Sequence, residues 1–137
     1  MLEHVWTVLC KRVSTDKETS AISYLTCLEQ LETSVLPATL PGCAVGSVWA
    51  KSGEDEERLR FRLRLLHPGE ASEIIAEGDV RITKRRHHLK VNIGEHLFPR
   101  EGTYRFLLEK ADGEEWAAVS SIPFDVVYRA VRSGEKA

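Results

Sequence analysis

The sequence predicts an all-β chain, an antiparallel sandwich of about eight strands. Three observations predict it: strict alternation of apolar and charged residues, an Asp-Gly turn between two apolar runs, and turn signals at short intervals. The alternation is cleanest at Arg58, Leu59, Arg60, Phe61, Arg62, Leu63, Arg64 and Leu65. A strand sends the four apolar residues to one face and the four arginines to the other, whereas a helix would mix both sets around its circumference. Pro68 and Gly69 close this strand.

The second signal joins 104–108 to 116–120 through Asp112 and Gly113. Asp-Gly supplies the positive φ angles of a type I′ turn, whose twist suits the strands it connects. A two-residue loop there sets Phe106 opposite Val119 and Leu108 opposite Ala117, with Tyr104, Phe106 and Leu108 pointing inward. Trp116 then lies on the other face unless a bulge turns it in. Weaker strands are expected over 5–13, 44–50, 73–80, 87–93 and 120–128, with Pro123 marking an edge or bend in the last. Residues 20–35 fit a strand, with Ile22, Tyr24, Thr26 and Leu28 on one face, or one short helix capped by Thr19 or Ser20. The regular strands elsewhere favour the strand.

At 137 residues, 42% hydrophobic and 29% charged, the chain is long enough to bury one core, and one domain over 1–131 is expected with a flexible polar tail over 132–137. A net charge of −2 implies no generally basic or acidic partner. No apolar stretch has the length of a membrane span, so no membrane partner is expected. Met1 leads into Leu2, Glu3 and His4 without the basic start and apolar run of an export signal, which makes the cytoplasm the expected location. The odd set Cys10, Cys27 and Cys43 reads there as reduced thiols, with Cys10 and Cys27 inside apolar strands and Cys43 exposed after Pro41-Gly42.

Leu9-Cys10, Val13, the acidic turn Asp16-Lys17-Glu18-Thr19, Ser20, and Leu28-Glu29-Gln30 form one pattern. Pro99-Arg100-Glu101-Gly102-Thr103-Tyr104-Arg105-Phe106, followed by a hairpin and a last strand, forms another. Together they resemble an uncharacterised bacterial family of small intracellular β-sandwich proteins, and Gly102 before Tyr104 is similar to what immunoglobulin-like sandwiches show ahead of a late strand. The resemblance implies an immunoglobulin-like sandwich and brings no activity, cofactor or catalytic residue with it.

Two basic groups are the main candidates for chemistry. Arg58, Arg60, Arg62 and Arg64 form a ladder along one strand face, and Lys84, Arg85 and Arg86, with Arg81 and Lys90 nearby, form a second cluster with no acid between them. Guanidinium groups at strand spacing can meet successive phosphates of a polyanion. The opposing reading is self-neutralisation by Glu54, Asp55, Glu56, Glu57, Glu70, Glu73, Glu77 and Asp79 on neighbouring segments, and the small net charge favours it. An aromatic stacking platform for bases is missing from the ladder, because Phe61 points inward.

Other chemistry finds little footing. His87 and His88 are adjacent, so a strand sends them to opposite faces, and His4, His67 and His96 are scattered; no metal site is expected. Neither a nucleophile elbow nor a glycine-rich phosphate loop is present, and no catalytic residue or cofactor is expected. Trp6 and Trp49 suit the core, while Trp116 near the hairpin tip, with Leu107 and Ala118 beside it, suits an interaction surface. The favoured function is a non-enzymatic module that binds a protein partner or itself through an edge strand or the Trp116 face. Nucleic-acid or polyanion binding through the basic face is the alternative, and an enzyme with a spatially assembled pocket ranks third.

Overall fold

Residues 1–69 and 71–130 are described by the computed structural model, so Glu70 and the expected tail over 132–137 lie outside the described residues. Eleven strands occur among them: β1 (Leu2–Thr15), β2 (Ile22–Cys27), β3 (Gln30–Thr33), β4 (Ala38–Leu40), β5 (Cys43–Lys51), β6 (Glu57–Leu66), β7 (Ser72–Ile82), β8 (Arg86–Ile93), β9 (His96–Phe98), β10 (Gly102–Asp112) and β11 (Glu115–Tyr128). No helix occurs among the described residues. The helical option for 20–35 therefore gives way to β2 and β3, with Leu28 in the link between them and Leu31 in β3 partly buried against the core. The count exceeds eight chiefly through β3, β4 and β9, which are three or four residues long.

The strands form a four-stranded sheet in the order β2-β1-β5-β8, a five-stranded sheet in the order β3-β11-β10-β6-β7, and the small β4-β9 pair. All pairings are antiparallel except β3 with β11. The two large sheets share one core, in a sandwich-like arrangement. Leu9, Val45, Trp49, Leu89 and Val91 enter it from the first sheet, and Leu59, Leu63, Leu65, Tyr104, Phe106, Leu108 and Phe124 from the second. The alternation in β6 is the direct cause of its placement, with Leu59, Leu63 and Leu65 fully buried and its arginines on the outer face. Trp49 is buried as expected, and its indole N–H donates to Ser47 Oγ at 2.9 Å, which spares the core an unpaired donor. Trp6 departs from expectation. At 41% exposed it packs edge-on against Tyr24 on the outer side of the four-stranded sheet, past a bulge between His4 and Trp6.

The β10–β11 hairpin also departs from its expected register. Asp112 pairs with Glu115, so the loop is Gly113-Glu114, and positive φ occurs at Gly113 alone (66°). That is the requirement of a type II′ turn, not of the type I′ turn that Asp-Gly suggests. A bulge between Leu108 and Glu109 then shifts the pairing again, setting Phe106 opposite Ile122 and Leu108 opposite Ser120. The segments expected as 116–120 and 120–128 are one strand. Pro123 sits in it before β3 begins to pair at Asp125, where a missing N–H costs no ladder bond on that side.

The β5–β6 and β7–β8 connections each cross from one large sheet to the other. They meet at one end of the sandwich, where the Lys51 backbone N–H donates to the Arg85 carbonyl at 2.8 Å.

Candidate functional site

The arginine ladder and the Trp116 patch fall on one surface, the outer face of the five-stranded sheet. In the ladder, Arg62 pairs in register with Glu109, Arg64 with Leu107, and Ala118 and Trp116 flank the same face from β11. Glu109 is the hub. It is 6% exposed although it faces outward, and one carboxylate oxygen accepts Arg62 Nε at 2.7 Å and Arg64 Nε at 3.1 Å. Arg58 is held by Asp79 at 2.8 Å. The Arg62 and Arg60 guanidiniums lie 4.4 and 5.2 Å from the Trp116 ring centroid, a cation–π stack. Each rung of the ladder is thus engaged within the chain. Of the acids expected to neutralise it, Asp79 does so, whereas Glu73 and Glu57 turn to other partners. Glu109, on a strand distant in sequence, had no local signal.

The patch expected as an interaction surface is correspondingly less bare than its sequence suggests. Trp116 and Leu107 are half-buried and Ala118 is exposed. The bulge does not turn Trp116 into the core; two arginines cover its ring instead.

The second basic cluster is in a different state. Lys84, Arg85 and Arg86 are exposed on the β7–β8 crossover and the start of β8. With Ala50 and Lys51 they line a cleft of about 590 Å³, and Lys51 and Arg85 also line its neighbour, together with Ser52, Gly53, Glu54 and Thr83. Lys51 is 6% exposed, and its ammonium donates to the Gly53 carbonyl at 2.9 Å. None of Lys51, Lys84, Arg85 and Arg86 forms an ion pair among the described residues. His87 is held below the ordinary imidazole range by burial, and further by the charges of His88 and Lys84. Sequence reasoning found 84–86 but missed Lys51, which reads as the end of an apolar strand.

The histidines separate as expected: His88 Nδ1 bonds the Tyr24 hydroxyl at 2.6 Å on the outer face, while His87 is half-buried. His67 and His96 converge on Glu73, at 3.6 and 2.8 Å, a meeting that their spacing does not suggest. Among the described residues no group of histidine, cysteine and carboxylate side chains is arranged to hold a metal ion.

The cysteines reverse one expectation. Cys43 is buried in the core and its thiol is pushed up to about 11, by burial first and by Cys10 second. Cys27 is the exposed thiol, at the end of edge strand β2, and Cys10 is buried opposite it. Cys10 too is raised, by burial and then by Cys27.

No helix among the described residues is long and apolar enough to cross a membrane. Residues 5–127 match the family of unknown function DUF6941, and the chain belongs to that family. No curated protein matches the chain.

Proposed function

We propose that the chain is a non-enzymatic binding module that holds a phosphate-bearing polyanion, a nucleic-acid strand being the type case, in the basic cleft between its two crossovers. One observation carries this reading: the nearly buried Lys51 lines one cleft with Lys84, Arg85 and Arg86, and none of the four has a carboxylate partner among the described residues. Four like charges held together repel one another, and a bound anion relieves that repulsion while releasing its own counterions. The ladder lacks this motive, because Glu109, Asp79 and Trp116 already occupy it. Binding of this kind is to the backbone and independent of sequence.

The same reading sets the protein in the cytoplasm and relates its sandwich to immunoglobulin-like domains. Supporting that relation, the Tyr104 hydroxyl donates to the Arg100 carbonyl at 2.7 Å just before a late strand, the arrangement of a tyrosine corner.

The test is fluorescence polarisation of a labelled mixed-sequence single-stranded oligonucleotide, at low and high salt. The wild type should bind at low salt, with an affinity that falls steeply as salt rises. Lys84→Glu with Arg86→Glu should abolish binding, whereas Arg60→Glu with Arg62→Glu should leave most of it. Loss through the ladder variant alone would overturn the assignment.

A second reading, docking of a protein or a second copy on the Trp116 face, is favoured by the pairing of a tryptophan with two arginines, residue types enriched at binding hot spots. Light scattering decides it. A dimer insensitive to salt and lost in Trp116→Ala supports this reading, and a monomer at all concentrations rejects self-association.

A further inference from the structure

We propose that Cys10 and Cys27 are a modification site, closing to a reversible disulfide between β1 and β2 when the protein meets hydrogen peroxide. The two are directly opposed Cα partners on antiparallel strands. The Leu28 N–H donates to the Leu9 carbonyl at 2.9 Å, which makes Leu9–Leu28 a hydrogen-bonded pair and Cys10–Cys27, one step on, a non-hydrogen-bonded one. At such positions the Cα atoms are about 4.5 Å apart, within the range a disulfide spans. Leu9 and Leu28, the neighbours of the two cysteines, both turn to the core. The left-handed turn at Thr26 (φ 59°) resets the alternation of β2 after Tyr24, so Cys10 and Cys27, each one step from a core leucine, face the opposite side together.

Access divides the roles. Cys27 is exposed and borders a cleft of about 390 Å³ with Thr7, Leu28, Glu29, Ile122 and Asp125, whereas Cys10 has no exposed surface. The Cys27 thiol gives up its proton, and its thiolate attacks one peroxide oxygen and expels hydroxide. That hydroxide takes up the proton, leaving a Cys27 sulfenic acid and one water. The Cys10 thiolate then attacks the Cys27 sulfur, forming the S–S bond and expelling a second hydroxide, which leaves as water with the Cys10 proton. Two thiols and one peroxide become one disulfide and two waters, the peroxide taking both electrons. Cys43 stays out of the exchange, because its side chain belongs to the core on the other side of the sheet. The bond would fasten edge strand β2, and with it the Tyr24 ring that reaches across to His88, to the body of the sheet. None of this depends on the anion cleft.

The experiment treats the full chain with hydrogen peroxide at near-stoichiometric amounts, quenches in acid, alkylates in denaturant, and maps peptides without reduction. Free thiols should fall from three to one, with a Cys10–Cys27 linked peptide that a dithiol reductant removes. Cys10→Ser, checked for its fold by circular dichroism and given a second equivalent of peroxide, should instead carry Cys27 on to sulfinic acid. A wild-type Cys27 that reaches sulfinic acid while Cys10 is still alkylated would overturn the proposal. A link from Cys43, or three unreacted thiols, would do so equally.

Discussion

Lys51 carries its ammonium into the end of the sandwich with the Gly53 carbonyl as its acceptor, while its aliphatic stem is packed. Lys51→Met keeps the stem and removes the charge, so the fold should persist while anion affinity falls about tenfold, the worth of one charge-assisted hydrogen bond; isothermal titration with pyrophosphate reads the change. Glu54 lines the adjoining cleft, and Glu54→Gln should tighten the same binding by removing a like charge from the anion's surroundings. Acid should weaken the fold through two histidines. Burial holds His4 below its ordinary value of 6.5, and burial with the charges of His88 and Lys84 does the same for His87. The unfolded chain therefore takes up protons near pH 6.5 that the folded chain refuses. Stability should be full above that value and fall as pH drops through it toward the lower folded values. Urea midpoints at stepped pH measure this, and a midpoint flat from pH ~7 to ~5 contradicts it.

Among the elements, β6 was the most legible, because a period of two over eight residues has one physical solution. Its partners were less so. Which acid neutralises an arginine depends on which strand lies alongside, and Glu109 arrives from β10 only once the sheet has formed. Glu109→Ala should cost about 1–3 kcal/mol by urea unfolding, because it strands two partly buried guanidiniums. It should also create oligonucleotide binding on the ladder that the wild type lacks, and Glu109→Gln should recover part of the stability. The hairpin shows a second limit. Asp112-Gly113 located the turn, but a shift of loop start and one bulge moved every pair, and neither leaves a mark in the apolar pattern. On β5, a Cβ added at Gly46 would fall on Tyr24 Cε1 and lie 2.8 Å from Cδ1. Gly46→Ala should therefore push the Tyr24 ring off, break its bond to His88, and cost about 1–3 kcal/mol. Thermal unfolding and the His88 ring resonances test this together. The exposure of Trp6 belongs to the same cluster, since a tryptophan that packs on Tyr24 outside the sheet has the same local sequence character as one inside.

At the scale of the whole molecule, the proposed anion site depends on two crossovers meeting at one end. The basic run at 84–86 was legible as a cluster, but its joining to Lys51 required the sandwich to close, which no spacing along the chain encodes. The fold separates two arginine- and lysine-rich surfaces that sequence treats alike: a ladder satisfied within the chain and a cleft that is not. If the cleft meets phosphates, Lys84→Ala should lower the slope of log affinity against log salt by about one. The most direct measurement follows backbone amide resonances during titration with a short single-stranded oligonucleotide at low salt. Shifts concentrated at Lys51, Gly53, Lys84, Arg85, Arg86 and His87, with the His87 ring moving toward its ordinary titration range as the anion offsets Lys84, are the predicted result. Shifts centred on Arg60, Arg62, Glu109 and Trp116, with the crossovers unmoved, would contradict it.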